Sequence, residues 1–176
     1  SETNDDKKTP IYILENGNTI NSLADLAGKK LYATGQGSTP EYILNYLLEK
    51  SGIADKVEVE YVTSHDELAT LAASGKATIS MLPEPKVTAA LTKNADLRIA
   101  LNLTEEFEKI SGKTLIQGVV IAKKDFVEKN PEAVKMFLKE YEASINAANN
   151  DIETTSALCE QYGIIPKAPV AKKAIP

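Results

Sequence analysis

The chain has 176 residues, 43% hydrophobic and 26% charged, which suits one ordinary globular domain or a small domain with an appendage. Its net charge is −5 and no lysine or arginine cluster stands out, which argues against nucleic acid as a partner. A single cysteine, Cys159, and a single histidine, His65, exclude an internal disulfide and a zinc site, and no apolar run approaches the roughly 20 residues of a membrane span.

Residues 1–10, SETNDDKKTP, are polar and read as a disordered tail or an expression scar. No signal-peptide pattern opens the residues given, so an exported protein is read here in mature or trimmed form. IYILENG (residues 11–17) is a β-branched and aromatic run closed by Asn-Gly, a strand and turn. NSLADLAGKK follows as a short helix capped by Ser22 and stopped by Gly28, and KKLYATG is a second strand. TPEYILNYLLEKSG is a helix whose Ile43, Leu44, Leu47 and Leu48 form one stripe. VEVEYV alternates like a strand near a sheet edge. SHDELATLAASG is a helix with Ser64 and Glu67 in a capping-box pattern, and ATISMLPEP is a strand ending in a rigid corner. KVTAALTK is a helix and DLRIALNL a strand. This alternation predicts an α/β, three-layer fold: a mostly parallel five-stranded sheet flanked by helices, because parallel connections need a crossover.

From Thr104 the pattern turns helical. TEEFEKISG is a short amphipathic helix, and TLIQGVVIAKKDF (residues 114–126) reads as a long strand. NPEAVKMFLKEYEASINAANN is the clearest helix, with Asn130 as its cap, Pro131 in its first turn, and Val134, Phe137, Leu138, Tyr141 and Ile145 along one side. Burying those five contributes roughly 1.5–3 kcal/mol each, so the face needs a partner surface. IETTSALCEQYG and PVAKKAIP are shorter helical pieces.

Three stretches invite a chemical reading. ATGQGSTPEY (residues 33–42) resembles a phosphate loop, but a dinucleotide fingerprint needs a glycine where Pro40 stands, and a P-loop needs an absent lysine. What survives is a strand, a glycine-rich turn and a helix opening at Ser38, Thr39 and Pro40, with Glu41 able to fold back as the capping acid for Ser38. Its N–H groups and dipole suit a small anionic or polar group, or the stretch is a well-capped helix with no ligand. In MLPEP, Glu84 sits between prolines at the carboxyl end of a strand, where open α/β sheets bind ligands; the alternative is a stiff loop with a solvated acid. Gly118 in IQGVV suggests a bulge or a close backbone approach, with Gln117 able to reach a ligand or serving structure alone. His65 lies at a solvated helix start without a nucleophile beside it, and Cys159 reads as a small buried residue; neither supports catalysis.

With these motifs in order, the chain resembles the solute-binding proteins of ABC importers, nearest the nitrate/sulfonate/taurine and thiamine-pyrimidine group. SLADLAGKK followed by SGKATISMLPEP and GVVIAKKDFVEKNPEAVKMFLKEYEASI carries the resemblance, which spans Ile11 to Pro176. It implies one lobe of a two-lobed, type II periplasmic-binding fold with a helical C-terminal segment. Residues 11–103 would be the ligand-binding lobe and 104–176 a hinge strand and C-terminal helices packing on it. The ligand would face Thr34, Gly35, Gln36, Gly37, Ser38, Thr39, Pro83 and Glu84, and the hinge would cross at Leu14, Glu15 and Asn16 and at Gln117 and Gly118. The expected partners are a small-molecule solute, an ABC permease, and a first lobe or a second copy by dimerisation or swapping; the resemblance implies no cofactor and no metal. The location would be extracytoplasmic, in a periplasm or lipid-anchored at the outer face of the membrane. Where a whole relative binds near 1 μM, about −8 kcal/mol, half the contacts leave roughly millimolar affinity. The rival readings are the effector domain of a LysR-type transcription regulator, which needs a helix-turn-helix before Ile11, and a dissected or engineered lobe without ligand function. A pyrimidine-synthesising enzyme of the same group would need a cysteine-rich motif, for which Cys159 alone is too little.

Overall fold

The computed structural model describes residues 10–116 and 118–175. The chain divides into two compact units, Ser1–Leu115 and Ile116–Pro176.

In the first unit β1 (Ile11–Asn16) leads through a 3-10 turn at Leu23–Leu26 into β2 (Lys30–Ala33). Then α1 (Thr39–Lys50), β3 (Glu58–Tyr61), α2 (His65–Ala73), β4 (Ile79–Pro83), α3 (Lys86–Lys93), β5 (Leu97–Asn102) and α4 (Leu103–Ser111) follow. The strands form one five-stranded sheet in the order β3-β2-β4-β1-β5. The α/β class and five strands are as expected, but the sheet is mixed rather than mostly parallel. β2 pairs parallel with β3 and β4, whereas β1 pairs antiparallel with β4 and β5. The connections explain this: β2 to β5 are joined in turn through α1, α2 and α3, and each helical crossover restores the strand direction. β1 is joined to β2 by a turn of 3-10 helix and is free to run the other way.

Two apolar layers cover the sheet. Ile11, Ile13, Leu31, Ala33 and Met81 face Ile43, Leu44, Leu47 and Leu48 of α1 and Leu103 of α4, with Phe107 and Leu115 at the margin. Leu14 and Leu82 face Leu68 and Ala72 of α2 and Val87 and Ala90 of α3. Residues 104–115, grouped by the sequence pattern with the C-terminal helices, thus fold with the first unit. β5 serves both layers because its register slips. Leu101 lies opposite Ile13 and Ile99 opposite Leu14, so Ala100 is an extra residue. Leu97 and Leu101, four positions apart, would share a face in a regular strand; with the bulge they enter opposite layers. β3 is an edge strand, as its alternation implied, and Lys30 sits across from Glu58 and Glu60 at 3.1 and 2.6 Å on its exposed side.

The second unit contains α5 (Lys124–Lys129), α6 (Pro131–Asn150), α7 (Ile152–Gln161) and α8 (Ala168–Ala174). The strand expected over 114–126 is not formed: the described residues from 113 to 123 have irregular backbone. A strand needs a neighbour to pair its N–H and C=O groups, and among the described residues none lies alongside. Among the described residues of this unit only Ser156 and Ala171 are buried. The α6 face carrying Phe137, Leu138, Tyr141 and Ile145 is exposed, with the Phe137 and Tyr141 rings stacked 5.8 Å apart. Asn130 begins α6, but its amide donates back to the Phe126 carbonyl of α5 at 3.1 Å instead of capping the new helix.

Candidate functional site

Because β2, β3, β4 and β5 share one direction, their carboxyl ends lie along one edge of the sheet, where α/β folds present loops to ligands. The reversed β1 delivers its amino end to the same edge: Ile11 pairs with Pro83, and its N–H donates to the Thr104 hydroxyl at 3.3 Å. Beyond β2 and β3 the edge opens into a concavity of about 310 Å³ lined by Gly35, Gln36, Tyr61, Val62, Thr63 and His65.

The glycine-rich turn builds one wall. Gly35 has φ +83°, and a Cβ there would lie 2.9 Å from Cγ of Pro40, so no other residue fits without displacing the helix start. Ser38 begins α1, yet its hydroxyl donates to the Gly35 carbonyl at 2.7 Å rather than accepting from the first helical N–H groups. Glu41 does fold back, but onto the Gly37 N–H at 2.6 Å instead of Ser38. The chain's own carboxylate therefore already occupies part of the positive end of α1, and an incoming anion would meet it.

The opposite wall comes from the end of β3 and the start of α2. Ser64 caps α2, accepting from Asp66 and Glu67 N–H at 3.2 and 3.4 Å, which holds His65 at the first helical position. From there Nδ1 of His65 lies 2.7 Å from the hydroxyl of Thr34, a residue 1% exposed whose oxygen is also 3.4 Å from the Met81 carbonyl. The imidazole is thus tied to the β2–α1 turn across 31 positions of sequence. The Tyr61 hydroxyl is buried and without a partner among the described residues. Burial, followed by the Glu41 carboxylate, pushes its phenol up from the ordinary value. Lys86 of α3 pairs with Asp66 at 2.5 Å.

Of the residues expected to face a ligand, Gly35 and Gln36 line the concavity, and Thr34 supports it from beneath through His65. Gly37, Ser38 and Thr39 shape the turn and open α1. Pro83 ends β4 on the same edge. Glu84 does not extend into the concavity: its carboxylate accepts from the Thr88 N–H and hydroxyl at 3.1 and 3.0 Å and so secures the start of α3. Burial pushes the Glu84 carboxyl up, and the two Thr88 bonds partly offset this. Tyr61, Val62, Thr63 and His65 were not singled out as lining. The signal for them was the same strand-end rule applied to Glu84, used at the end of β3 as well.

Of the expected hinge residues, Gln117 lies outside the described residues, and Gly118 is exposed in irregular backbone. Leu14, Glu15 and Asn16 lie inside β1, paired with β5 throughout, at the end of the sheet away from the concavity. Glu15 is 1% exposed and accepts from Thr19 N–H and hydroxyl (2.7 and 2.6 Å), Ile20 N–H (3.1 Å) and the Arg98 guanidinium (2.6 Å). Burial pushes its carboxyl up, but the bonds from Thr19, Ile20 and Arg98 outweigh this and hold it below the ordinary value. These bonds fasten the loop after β1 to the strand. Among the described residues, no group of three His, Cys, Asp or Glu side chains is arranged to hold a metal ion, and no helix is long and apolar enough to cross a membrane.

A family model described as NMT1/THI5 like matches residues 4–154. No curated protein sequence matches the chain. Solved structures do. The periplasmic aliphatic sulphonate binding protein SsuA from Escherichia coli superposes with a TM-score of 0.74 at 22% identity, over 97% of this chain and 56% of that one. The alkanesulfonate-binding protein SsuA from Xanthomonas axonopodis pv. citri, bound to MOPS, gives 0.65 at 18% identity over 97% and 56%. An ABC transporter from Parabacteroides distasonis gives 0.67 at 22% identity over 95% and 56%. At these identities the likeness is one of fold, and the chain spans a little over half the length of each.

Proposed function

The chain belongs to the NMT1/THI5-like family, and from that premise we propose that it grips a small polar or anionic solute as one lobe of an importer's solute-binding protein. The observation that carries this reading is the concavity between the Thr34–Gln36 turn and the Tyr61–His65 segment, at the carboxyl edge of the sheet. The fold shared with sulphonate-binding proteins supports it. The concavity is open on one side, and in this reading a second lobe or a second copy closes over it. Solute contacts made only when both walls meet then shift an open–closed equilibrium that a membrane permease reads, outside the cytoplasm.

In this reading the site binds: the hydroxyl beside His65 belongs to Thr34, which is 1% exposed and also lies 3.4 Å from the Met81 carbonyl, so it braces the ring rather than facing a substrate. The test is a titration of the ¹⁵N-labelled chain with ethanesulfonate, nitrate, bicarbonate and a pyrimidine, each to tens of millimolar. Amide shifts clustered at Gly35, Gln36, Thr63 and His65 with at least one of them are expected. Shifts scattered over the surface, or none with any of the four, would refute the site.

A further inference from the structure

We propose that His65 is the specificity-determining residue of this concavity, and that it favours an anionic group when its ring carries the second proton. The inference rests on the solute-binding reading and deepens it. Among the residues lining the concavity, Gly35, Gln36, Tyr61, Val62 and Thr63 carry no charge at neutral pH, and His65 is the one able to become a cation. The chain's other charges on that side do not substitute for it. Glu41 of α1 is committed to the Gly37 N–H and adds negative potential at Tyr61. Asp66, next to His65 on α2, is paired with Lys86 of α3, so that lysine is drawn to a carboxylate and is not offered to a ligand. Lys93 acts on Asp66 from the same helix, and Glu67 is the second acid in the first turn of α2.

The threonine beneath the ring makes this arrangement workable in both protonation states. Thr34 has one hydroxyl hydrogen and two oxygen lone pairs. With a neutral ring it can donate to Nδ1; with a protonated ring it accepts from Nδ1–H and turns its own hydrogen toward the Met81 carbonyl. The ring keeps its place while its charge changes, and Nε2, on the far side of the ring from Thr34, remains the atom for a ligand. An anion reaching Nε2 in the protonated state gains a charge-assisted hydrogen bond; with the neutral ring, Thr34 donating to Nδ1 leaves Nε2–H as an uncharged and weaker donor, with Glu41 near by.

Because the chain has one histidine, its imidazole C–H resonances are assigned without further labelling. The experiment is an NMR titration of the whole chain with ethanesulfonate, which keeps its charge from pH 5.5 to 7.5, beside the uncharged probe ethyl methyl sulfone. Ethanesulfonate is expected to bind at least fivefold more tightly at pH 5.5 than at 7.5 and to raise the measured titration midpoint of His65. The sulfone is expected to show neither effect, and His65→Gln to abolish the pH difference while leaving the amide spectrum of the β-sheet in place. Shifts at Gly35 and Gln36 of equal strength at both pH values, with the His65 midpoint unmoved, would overturn this proposal and leave the solute site standing. An absence of shifts at Gly35 and Gln36 with ethanesulfonate at either pH would overturn this proposal, and the solute reading falls with it where nitrate, bicarbonate and the pyrimidine shift nothing either.

Discussion

Replacing Glu15 by glutamine keeps the size of the side chain and removes only its charge, which isolates what the buried carboxylate contributes. Four donors converge on it, and three of them come from Thr19 and Ile20, so the carboxylate fastens the loop after β1. Breaking a buried ion pair costs about 3–5 kcal/mol, and the lower part of that range applies here. Arg98 would still donate to the Gly17 and Ile20 carbonyls at 3.0 and 2.5 Å, and its side chain is 32% exposed and retains water. A loss of about 3 kcal/mol at pH 7 is expected, out of a total of roughly 5–15 kcal/mol for a domain. The pH dependence gives a sharper check. A carboxyl held below its ordinary value contributes stability that is complete above the unfolded value, about 4.3 for glutamate, and is lost as pH falls through the folded value. The gap between parent and Glu15→Gln should therefore be constant from pH 7 to about 5 and shrink below that. Urea unfolding read from the amide peaks of β1 and β5 reports on this unit alone. A loss below about 0.5 kcal/mol at pH 7, the size of an ordinary surface substitution, or a gap that widens toward pH 3, would refute the reasoning.

Two further tests address the turn and the second unit. Gly35→Ala combines a positive φ with a clash against Pro40, so about 1–3 kcal/mol of stability should be lost, together with the solute-induced shifts at Gln36; unchanged thermal unfolding would show that the turn adapts. The bare face of α6 should make the chain associate with itself at high concentration, and the double substitution Phe137→Lys and Leu138→Lys should return the sedimentation coefficient to a monomer's; identical profiles for both chains would remove that face from any association.

Local signals carried the reading of the first unit a long way. The stripe of Ile43, Leu44, Leu47 and Leu48 is buried as its spacing required, Ser64 caps α2, and alternation in VEVEYV placed β3 at an edge. What was not legible depends on partners distant in sequence. The direction of β1 is decided by which strands it meets, β4 and β5, and not by its own composition. The same limit explains residues 114–126, whose apolar, β-branched run satisfies a strand's preferences but cannot supply its neighbour. At the site, the turn at residues 34–38 was visible as chemistry because Gly35 and Gly37 stand two positions apart directly before a helix start. Its opposite wall was hidden because the tie between His65 and Thr34 closes only in three dimensions, and the bonds that Thr88, one helical turn on, gives the Glu84 carboxylate were equally out of view.

The extra residue at Ala100 has a consequence for how this sheet tolerates change in length. Side chains on a strand obey a two-beat rhythm, and an odd insertion is normally ruinous because it turns everything beyond it inside out. Here the odd residue is already present, and each half of β5 keeps time with a different layer, Leu97 with the α2–α3 side and Leu101 with the α1–α4 side. Deleting Ala100 would leave Leu97 and Leu101 three positions apart, an odd spacing that sets them on opposite faces of a regular strand, so each layer would keep its leucine and the pairing with β1 would run without a slip. A second insertion beside Ala100, not its loss, would turn one of the two leucines out into water.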